Sequence, residues 1–189
     1  MGAPRYGIGH NGGPTLGRGY TYRKHLWTKA RKELLPTLPL VIIRRRVARA
    51  KELGLDYKTY AGLRATTGRD LVAFLFSGPA LDVSPRSPSM PKAKAEKLKQ
   101  VLGCDRLALV SAPGAVRATN PELDALALAP ELTHSWSEMR NRVAGFLKER
   151  RLPSDGVLVI GDGWIEREWS TAARAAGLVA STHYFRGTA

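Results

Sequence analysis

The sequence predicts an α/β protein, α+β in its overall make-up, in which a basic helical region precedes a small domain with a parallel sheet. Two short apolar runs, residues 106–112 and 157–160, have the length and composition of buried strands. Segments with helical spacing of apolar residues lie between and after them, and this alternation is typical of a parallel sheet with helical crossovers. Apolar residues make up 43% of the 189-residue chain, which is enough for a hydrophobic core.

The chain divides by composition into four segments. Residues 1–20 contain seven glycines and two prolines, so we expect a flexible Gly-rich arm with no core of its own. Residues 21–77 form a basic helical region, and residues 78–91 form a linker rich in Pro and Ser. We predict the domain boundary at this linker, with the small α/β domain in residues 92–189.

Four helices are predicted in the first part of the chain. A basic helix spans residues 22–35, and a second spans 40–53, after which Gly54 is a suitable C-terminal stop. The third spans 56–64 with Asp56 as its N-cap. Thr67 and Asp70 have capping-box spacing for a fourth helix over 69–76. Its side chains are apolar on nearly every side, so we expect this helix to be buried in the core.

Helices and strands alternate after the linker. A helix is predicted over 92–102, the first strand over 106–112, and one short helix after Pro121. Ser135 and Glu138 form a capping-box pattern for a helix that reaches residue 150. The strand over 157–160 leads through a turn at 161–163 to a helix over 164–176, and residues 178–185 predict a last strand.

The net charge of +14 is concentrated towards the N-terminus. Lys and Arg exceed Asp and Glu by 11 in residues 1–80 and by 3 in residues 81–189. A one-sided positive field attracts polyanions and releases counterions from nucleic acid, so the leading prediction is a DNA-associated, nucleic-acid-binding protein. A solvated basic face is the alternative explanation. The residues predicted to contact nucleic acid are Arg23, Lys24, Lys29, Arg31, Lys32, Arg44, Arg45, Arg46, Arg49, Lys58 and Arg64.

Several small helices in succession also suggest a helix-turn-helix-like module. In that arrangement the arginines at positions 44, 45, 46 and 49 contact phosphates, while residues 57–67, with Lys58 and Arg64, supply donors that read the sequence. A basic adaptor or inhibitor that binds an acidic protein partner is a further alternative, because the same charges serve that purpose.

Composition also argues against several classes of protein. No stretch has the ~20 consecutive apolar residues of a membrane-spanning helix, so no membrane association is expected. Cys104 is the only cysteine, which excludes disulfides within the chain and Cys-based zinc sites, and we interpret it as a buried thiol. The four histidines lack metal-ligand spacing, so no metal site is predicted. Without a signal-peptide pattern at the N-terminus, we expect a cytoplasmic protein.

Residues 9–14 read Gly-His-Asn-Gly-Gly-Pro. This segment resembles a short motif found near the ends of small bacterial proteins of phage and mobile-element origin. The resemblance covers less than a tenth of the chain and assigns no chemistry, but it favours a DNA-handling role of phage or mobile-element type, which we expect to be regulatory.

The strand over 157–160 and the Gly161-Asp162-Gly163 turn carry the main enzymatic signal. Ligands of open α/β sheets bind beyond the carboxyl ends of the strands, where Asp162 is expected, and carboxylates there hold Mg²⁺. With Glu166 and Glu168, the segment resembles the late metal-binding motif of haloacid-dehalogenase-like phosphatases and the acidic strand end of NYN/PIN-type nucleases. The resemblance implies a Mg²⁺-dependent phosphoesterase or nuclease in which Asp162, Glu166 and Glu168 are the candidate catalytic residues.

Both families place an essential aspartate after their first strand, and residues 107–114 carry none. Without it, a phosphatase lacks its nucleophile and a nuclease lacks a metal ligand. The other interpretation of residues 161–163 is a strand-to-helix turn with Asp162 as the N-cap. No cofactor is predicted unless the enzymatic alternative holds.

Overall fold

The computed structural model describes residues 38–131 and 133–186. The chain divides into two compact units, Met1–Leu40 and Val41–Ala189, and the described residues lie almost entirely in the second. The predicted arm over 1–20 and the predicted helix over 22–35 lie outside the described residues. Within the described ranges, no helix combines the length and the apolar character needed to cross a bilayer.

The described residues form a mixed α/β fold, which confirms the predicted fold class. The strands are β1 (Ala73–Ser77), β2 (Asp105–Val110), β3 (Ala125–Leu128), β4 (Val157–Ile160) and β5 (Gly177–Val179). The α-helices are α1 (Leu40–Glu52), α2 (Tyr57–Thr67), α3 (Lys92–Lys99), α4 (Pro113–Thr119), α5 (Trp136–Glu149), α6 (Trp164–Ala172) and α7 (Ser181–Tyr184). Two short 3-10 helices span Pro79–Leu81 and Ser154–Gly156.

All five strands form one parallel sheet in the order β3-β2-β1-β4-β5. The central strand β1 pairs on both sides, with Ala73 opposite Asp105 of β2 and opposite Val157 of β4. The chain runs outwards from β1 to β3 on one side and from β4 to β5 on the other. The topological switch point, where open α/β sheets bind their ligands, therefore lies between the carboxyl ends of β1 and β4.

Helices cover both faces of the sheet. Because successive side chains of a strand point to opposite faces, Phe74 and Phe76 belong to one core cluster, and Ala73 and Leu75 belong to another. Residues of α1, α2, α3, α4 and α7 complete the first cluster, and residues of α5 and α6 complete the second. The result is a sheet between two helical layers, with a core on each side.

Local signals in the sequence define the α1–α2 hairpin. Gly54 follows α1 in the left-handed region, at a φ of 66°, where glycine is strongly favoured. Asp56 caps α2, because its carboxylate accepts a hydrogen bond from the Thr59 N–H at 2.9 Å. The predicted N-cap is therefore confirmed.

The prediction of a helix over residues 69–76 is wrong. Residues Ala73–Ser77 form β1, and all five are buried. A continuous apolar run is compatible with a buried helix and equally with a central parallel strand, whose two faces are both covered. Thr67 caps no helix, since its hydroxyl donates to the carbonyl of Leu63. The boundary predicted at residues 78–91 falls inside the second unit, because β1 pairs with strands that come after it.

Two other predictions also need correction. The strand predicted over 178–185 ends at Val179, and α7 follows it. The helix predicted after Pro121 lies before it, as α4, and the short strand β3 takes the place after it. By contrast, β4 has the predicted bounds, and Ser135 and Glu138 make both hydrogen bonds of the predicted capping box.

Candidate nucleic-acid interface

A groove between α1 and α2 brings together several of the predicted contact residues. Because residues three and four positions apart share one side of a helix, Arg45, Arg46 and Arg49 lie along the same side of α1. The other wall comes from α2, and the groove has a volume of about 580 Å³. We call it the arginine groove; it is lined by Ile42, Arg45, Arg46, Ala48, Arg49, Glu52, Tyr60, Arg64 and Asp70.

Arg49 joins α1 to the segments that precede β1 and β2. Its guanidinium donates to the carboxylates of Glu52 and Asp70, at 3.0 and 3.1 Å. It also donates to the carbonyl oxygens of Leu71, Leu102 and Gly103, at 2.8–3.2 Å. Burial alone would lower the pKa of Arg49, but the hydrogen bonds to the two carboxylates outweigh it and the net pKa is raised. Five acceptors thus occupy its five N–H donors, so Arg49 acts as a structural anchor.

Asp70 forms the acidic floor of the groove. The buried Tyr60 hydroxyl donates to its Oδ1 at 2.8 Å, and Arg64 lies 3.7 Å from the same oxygen. Burial and the bond to Asp70 both raise the pKa of Tyr60. Tyr60 is therefore part of the core and not a surface donor, while Arg64 is only loosely held.

Arg45 and Arg46 differ from the other two arginines of the groove in having no partner among the described residues. Neither makes an ion pair or a side-chain hydrogen bond with another described residue. Arg45 is exposed and Arg46 is half-buried. A guanidinium without a partner, placed along a concave wall, is available for a phosphate oxygen from outside the molecule.

Of the other predicted contact residues, the two that the structure describes, Arg44 and Lys58, do not line this groove. Arg44 is exposed but lies about 200° around α1 from Arg46, on the outer side of the helix. Lys58 is exposed on the first turn of α2 and does not line the groove. The other predicted contacts lie outside the described residues, and they are Arg23, Lys24, Lys29, Arg31 and Lys32. Of the helices needed for the helix-turn-helix interpretation, α1 and α2 are described, and the last is replaced by β1.

Asp162 lies directly after β4, at the predicted carboxyl end of the sheet. The Ser181 hydroxyl donates to its Oδ2, and the N–H and hydroxyl of Thr182 lie 3.5 Å from its Oδ1. The N-cap of α6 is Gly163, so the interpretation of Asp162 as the cap of this helix is wrong. The reason is that its carboxylate is directed to the start of α7 instead.

Glu166 packs over the turn between β4 and α6. Its side chain is 2% exposed, and its Oε2 has no hydrogen-bond partner among the described residues. A Cβ placed on Gly161 would lie 2.3 Å from the Glu166 Cγ, and one placed on Gly163 would lie 2.5 Å from the Glu166 Oε2. Gly161 is thus required by the space that Glu166 fills, whereas a side chain at Gly163 would displace only the end of the Glu166 side chain. Glu168 is half-exposed two residues further along the helix.

The carboxyl ends of the central strands supply few acidic groups. The run 106–112, which is predicted above as the first strand, forms β2. The first strand in chain order is β1, and it ends at Ser77, whose Oγ accepts a hydrogen bond from the Ala80 N–H. Within residues 38–131 and 133–186, no three His, Cys, Asp or Glu side chains lie close enough to hold a metal ion. Asp162, Glu166 and Glu168 are therefore not gathered into such a cluster.

Cys104 is the only cysteine in the chain, and it lies just before β2. Its side chain is buried, and burial raises the pKa of the thiol to about 12. A thiol with such a pKa stays protonated at neutral pH, so it is a poor nucleophile, as the buried-thiol interpretation predicts.

Comparison with protein-family models, with curated proteins and with solved structures finds no match to this chain.

Proposed function

We propose that this protein binds nucleic acid, with DNA as the expected partner, through the arginine groove. The observation that carries the proposal is that Arg45 and Arg46 line the groove without a partner among the described residues. Arg64 stands on the opposite wall, 3.7 Å from Asp70, and completes a set of guanidinium groups around one concave surface. Guanidinium groups form short, charge-assisted hydrogen bonds with phosphate oxygens.

The contact is expected to be mainly with the phosphate backbone. The groove contains four arginines and two carboxylates, and Arg49 is held by the protein itself. Phosphate contacts fix the position of a protein on nucleic acid but carry no sequence information. The N-terminal excess of Lys and Arg supports the proposal, since it adds a positive field on the same half of the sequence. A regulatory role of phage or mobile-element type is the part of the proposal that rests on the Gly-His-Asn-Gly-Gly-Pro segment.

The test is a fluorescence-anisotropy titration of the full chain with a labelled duplex of about 20 base pairs at several salt concentrations. Each lost phosphate contact lowers the slope of log K against log salt by roughly 0.9. The double variant Arg45→Ala/Arg46→Ala should therefore lose roughly 1.8 from this slope and bind roughly fiftyfold more weakly at 0.1 M salt.

A matched control is the double variant Arg44→Ala/Lys51→Ala, which removes two positive charges from the outer side of the same helix. This variant should change the affinity less than about threefold, because long-range attraction alone is screened at 0.1 M salt. Equal losses in both double variants would show that the charge acts diffusely, and they would remove the groove from the proposal.

The alternative of an acidic protein partner is tested in the same titration. Single-stranded DNA and RNA of the same sequence, together with poly-glutamate, serve as competitors for the labelled duplex. Displacement by either nucleic acid but not by poly-glutamate at equal charge supports the proposal. Poly-glutamate binding in the absence of any nucleic-acid binding would overturn it in favour of the adaptor hypothesis.

A further inference from the structure

A second cavity, separate from the arginine groove, lies between the α1–α2 turn, α3 and α7. Its volume is about 270 Å³, near the lower end of the range for small-molecule sites. Its wall contains two positively charged side chains, one histidine and one carboxylate. The lining residues are Gly54, Leu55, Asp56, Lys97, His183, Tyr184 and Arg186.

The single carboxylate of this cavity already has its partners. Asp56 accepts hydrogen bonds from the N–H and the hydroxyl of Thr59, at 2.9 and 2.6 Å. The His183 Nε2 lies 3.0 Å from the same carboxylate. These contacts commit most of the acceptor capacity of Asp56 to the helix cap and to His183. Asp56 therefore offers little to the other cations of the cavity.

Lys97 lies on α3, and its side chain is half-buried. Its ammonium lies 4.7 Å from the centre of the Tyr184 ring and donates to the Tyr184 carbonyl. It makes no ion pair with a described residue, and burial lowers its pKa. On the same helix, Lys94 and Lys99 each lie 2.7 Å from a carboxylate.

Burying an ammonium without a counter-ion destabilises the folded state. Arg186, on the same cavity wall, is also without an ion pair among the described residues. Two cations that lack acidic partners among the described residues therefore border a small cavity, and the ring of His183 lies on the same wall. An anion in the cavity would offset the desolvation of Lys97 and would accept several charge-assisted hydrogen bonds.

We propose that this cavity binds a phosphate group through Lys97, Arg186 and His183. The volume suits inorganic phosphate or the phosphate of a small monoester. The site shares no lining residue with the arginine groove, so it goes beyond the proposed nucleic-acid binding and stands or falls separately.

The test is the thermal unfolding of the full chain with inorganic phosphate, against sodium chloride at equal ionic strength. Phosphate at tenfold its Kd should raise the Tm by roughly 3–6 °C. The variant Lys97→Met keeps the apolar stem over the Tyr184 ring and removes the charge, and it should lose this shift. The control Lys99→Met, on the same helix and exposed, should respond as the natural sequence does.

A second variant, Arg186→Gln, changes an exposed residue and keeps the test decisive if Lys97→Met does not fold. It should weaken phosphate binding at least fivefold by isothermal titration calorimetry. An unchanged phosphate response in Lys97→Met or in Arg186→Gln would overturn the proposal, as would an equal response to chloride.

Two further arms identify the source of the phosphate and separate this site from the groove. Thymidine 5′-monophosphate and thymidine are titrated beside inorganic phosphate, and tighter binding of the monophosphate would assign the site to a phosphate monoester. Binding of thymidine alone with equal affinity would overturn the proposal, because the phosphate would then contribute nothing. Arg45→Ala/Arg46→Ala should keep the full phosphate response, whatever its effect on oligonucleotide binding.

Discussion

The two ends of the central strand β1 have different surroundings. At its amino end, Arg49 binds the chain before the strand, and Arg45 and Arg46 line the adjoining groove without a partner among the described residues. At its carboxyl end, Ser77 is buried, and the neighbouring Asp162 is bound by residues of α7. Open α/β sheets bind ligands at the carboxyl end. Here the arginines that have no partner among the described residues lie near the amino end. Sheet topology therefore indicates where a site can form, and the partners of each side chain decide whether that side chain is available to a ligand.

The largest expected effect is on the anchor of the groove. Arg49→Ala removes hydrogen bonds to two carboxylates and three carbonyl oxygens, and it should lower the free energy of unfolding by about 2–4 kcal/mol. Urea unfolding measures this loss. Arg44→Ala, the same change on the outer side of α1, should cost less than about 0.5 kcal/mol. Equal stability of the two variants would mean that Arg49 does not anchor the groove.

The next effect concerns the turn at the carboxyl end of β4. Gly161→Ala places a Cβ 2.3 Å from the Glu166 Cγ and should cost about 1–3 kcal/mol of unfolding free energy. Adding Glu166→Ala should recover most of that loss in a double-mutant cycle, because the crowded side chain is then absent. Oligonucleotide affinity should stay within about twofold. Additive losses in the cycle would contradict the assigned packing, and a large loss of affinity would place nucleic acid at this end.

A smaller effect is expected at the capped end of α2, which forms one wall of the groove. Asp56→Ala removes the N-cap and should cost about 1 kcal/mol near neutral pH. The hydrogen bonds from Thr59 hold the pKa of Asp56 below its ordinary value, so its contribution is present above about pH 4 and is lost as the pH falls. Urea unfolding from pH 7 to pH 3 should show the two proteins converging in acid. A constant difference would contradict this origin.

The smallest effect is a gain of stability away from both regions. Arg174 follows α6 with a φ of 54°, a left-handed conformation that favours glycine. Arg174→Gly should raise the free energy of unfolding by about 0.5–1 kcal/mol, while Arg167→Gly, exposed within the same helix, should lower it by about 1 kcal/mol. Neither change should alter oligonucleotide affinity more than about twofold. A loss of binding in Arg174→Gly would extend the interface beyond the groove.

Local signals were sufficient for much of the fold. Ser135 with Glu138 fixes the start of α5, Asp56 fixes the start of α2, and the bounds of β4 follow from one apolar run. The central strand β1 was not recognised because all of its side chains are buried, and such a strand has neither the alternation of a half-exposed strand nor a helical period.

The distribution of charge along the sequence points to the arginines of the groove, but it does not show which of them are available to a ligand and which are held by the protein. Arg45 and Arg49 have the same side chain on the same helix, and they differ because Arg49 reaches Leu102 and Gly103, more than fifty positions along the chain. The cavity between the α1–α2 turn, α3 and α7 escapes sequence-based prediction for the same reason, because Asp56 and His183, which meet in its wall, are 127 positions apart in sequence. Partners that meet only in the folded chain leave no pattern in the sequence.

The position of β1 also fixes the order in which the sheet can be completed during synthesis. Ala73 leaves the ribosome well before Val157. One edge of β1, which is entirely buried in the folded protein, therefore stays unpaired until most of the chain has been synthesised. An unpaired strand edge of this kind is a template for pairing with strands of other chains, which leads to aggregation. A chain that stops after α5 should therefore aggregate, because it lacks β4, the neighbour of β1, and also β5.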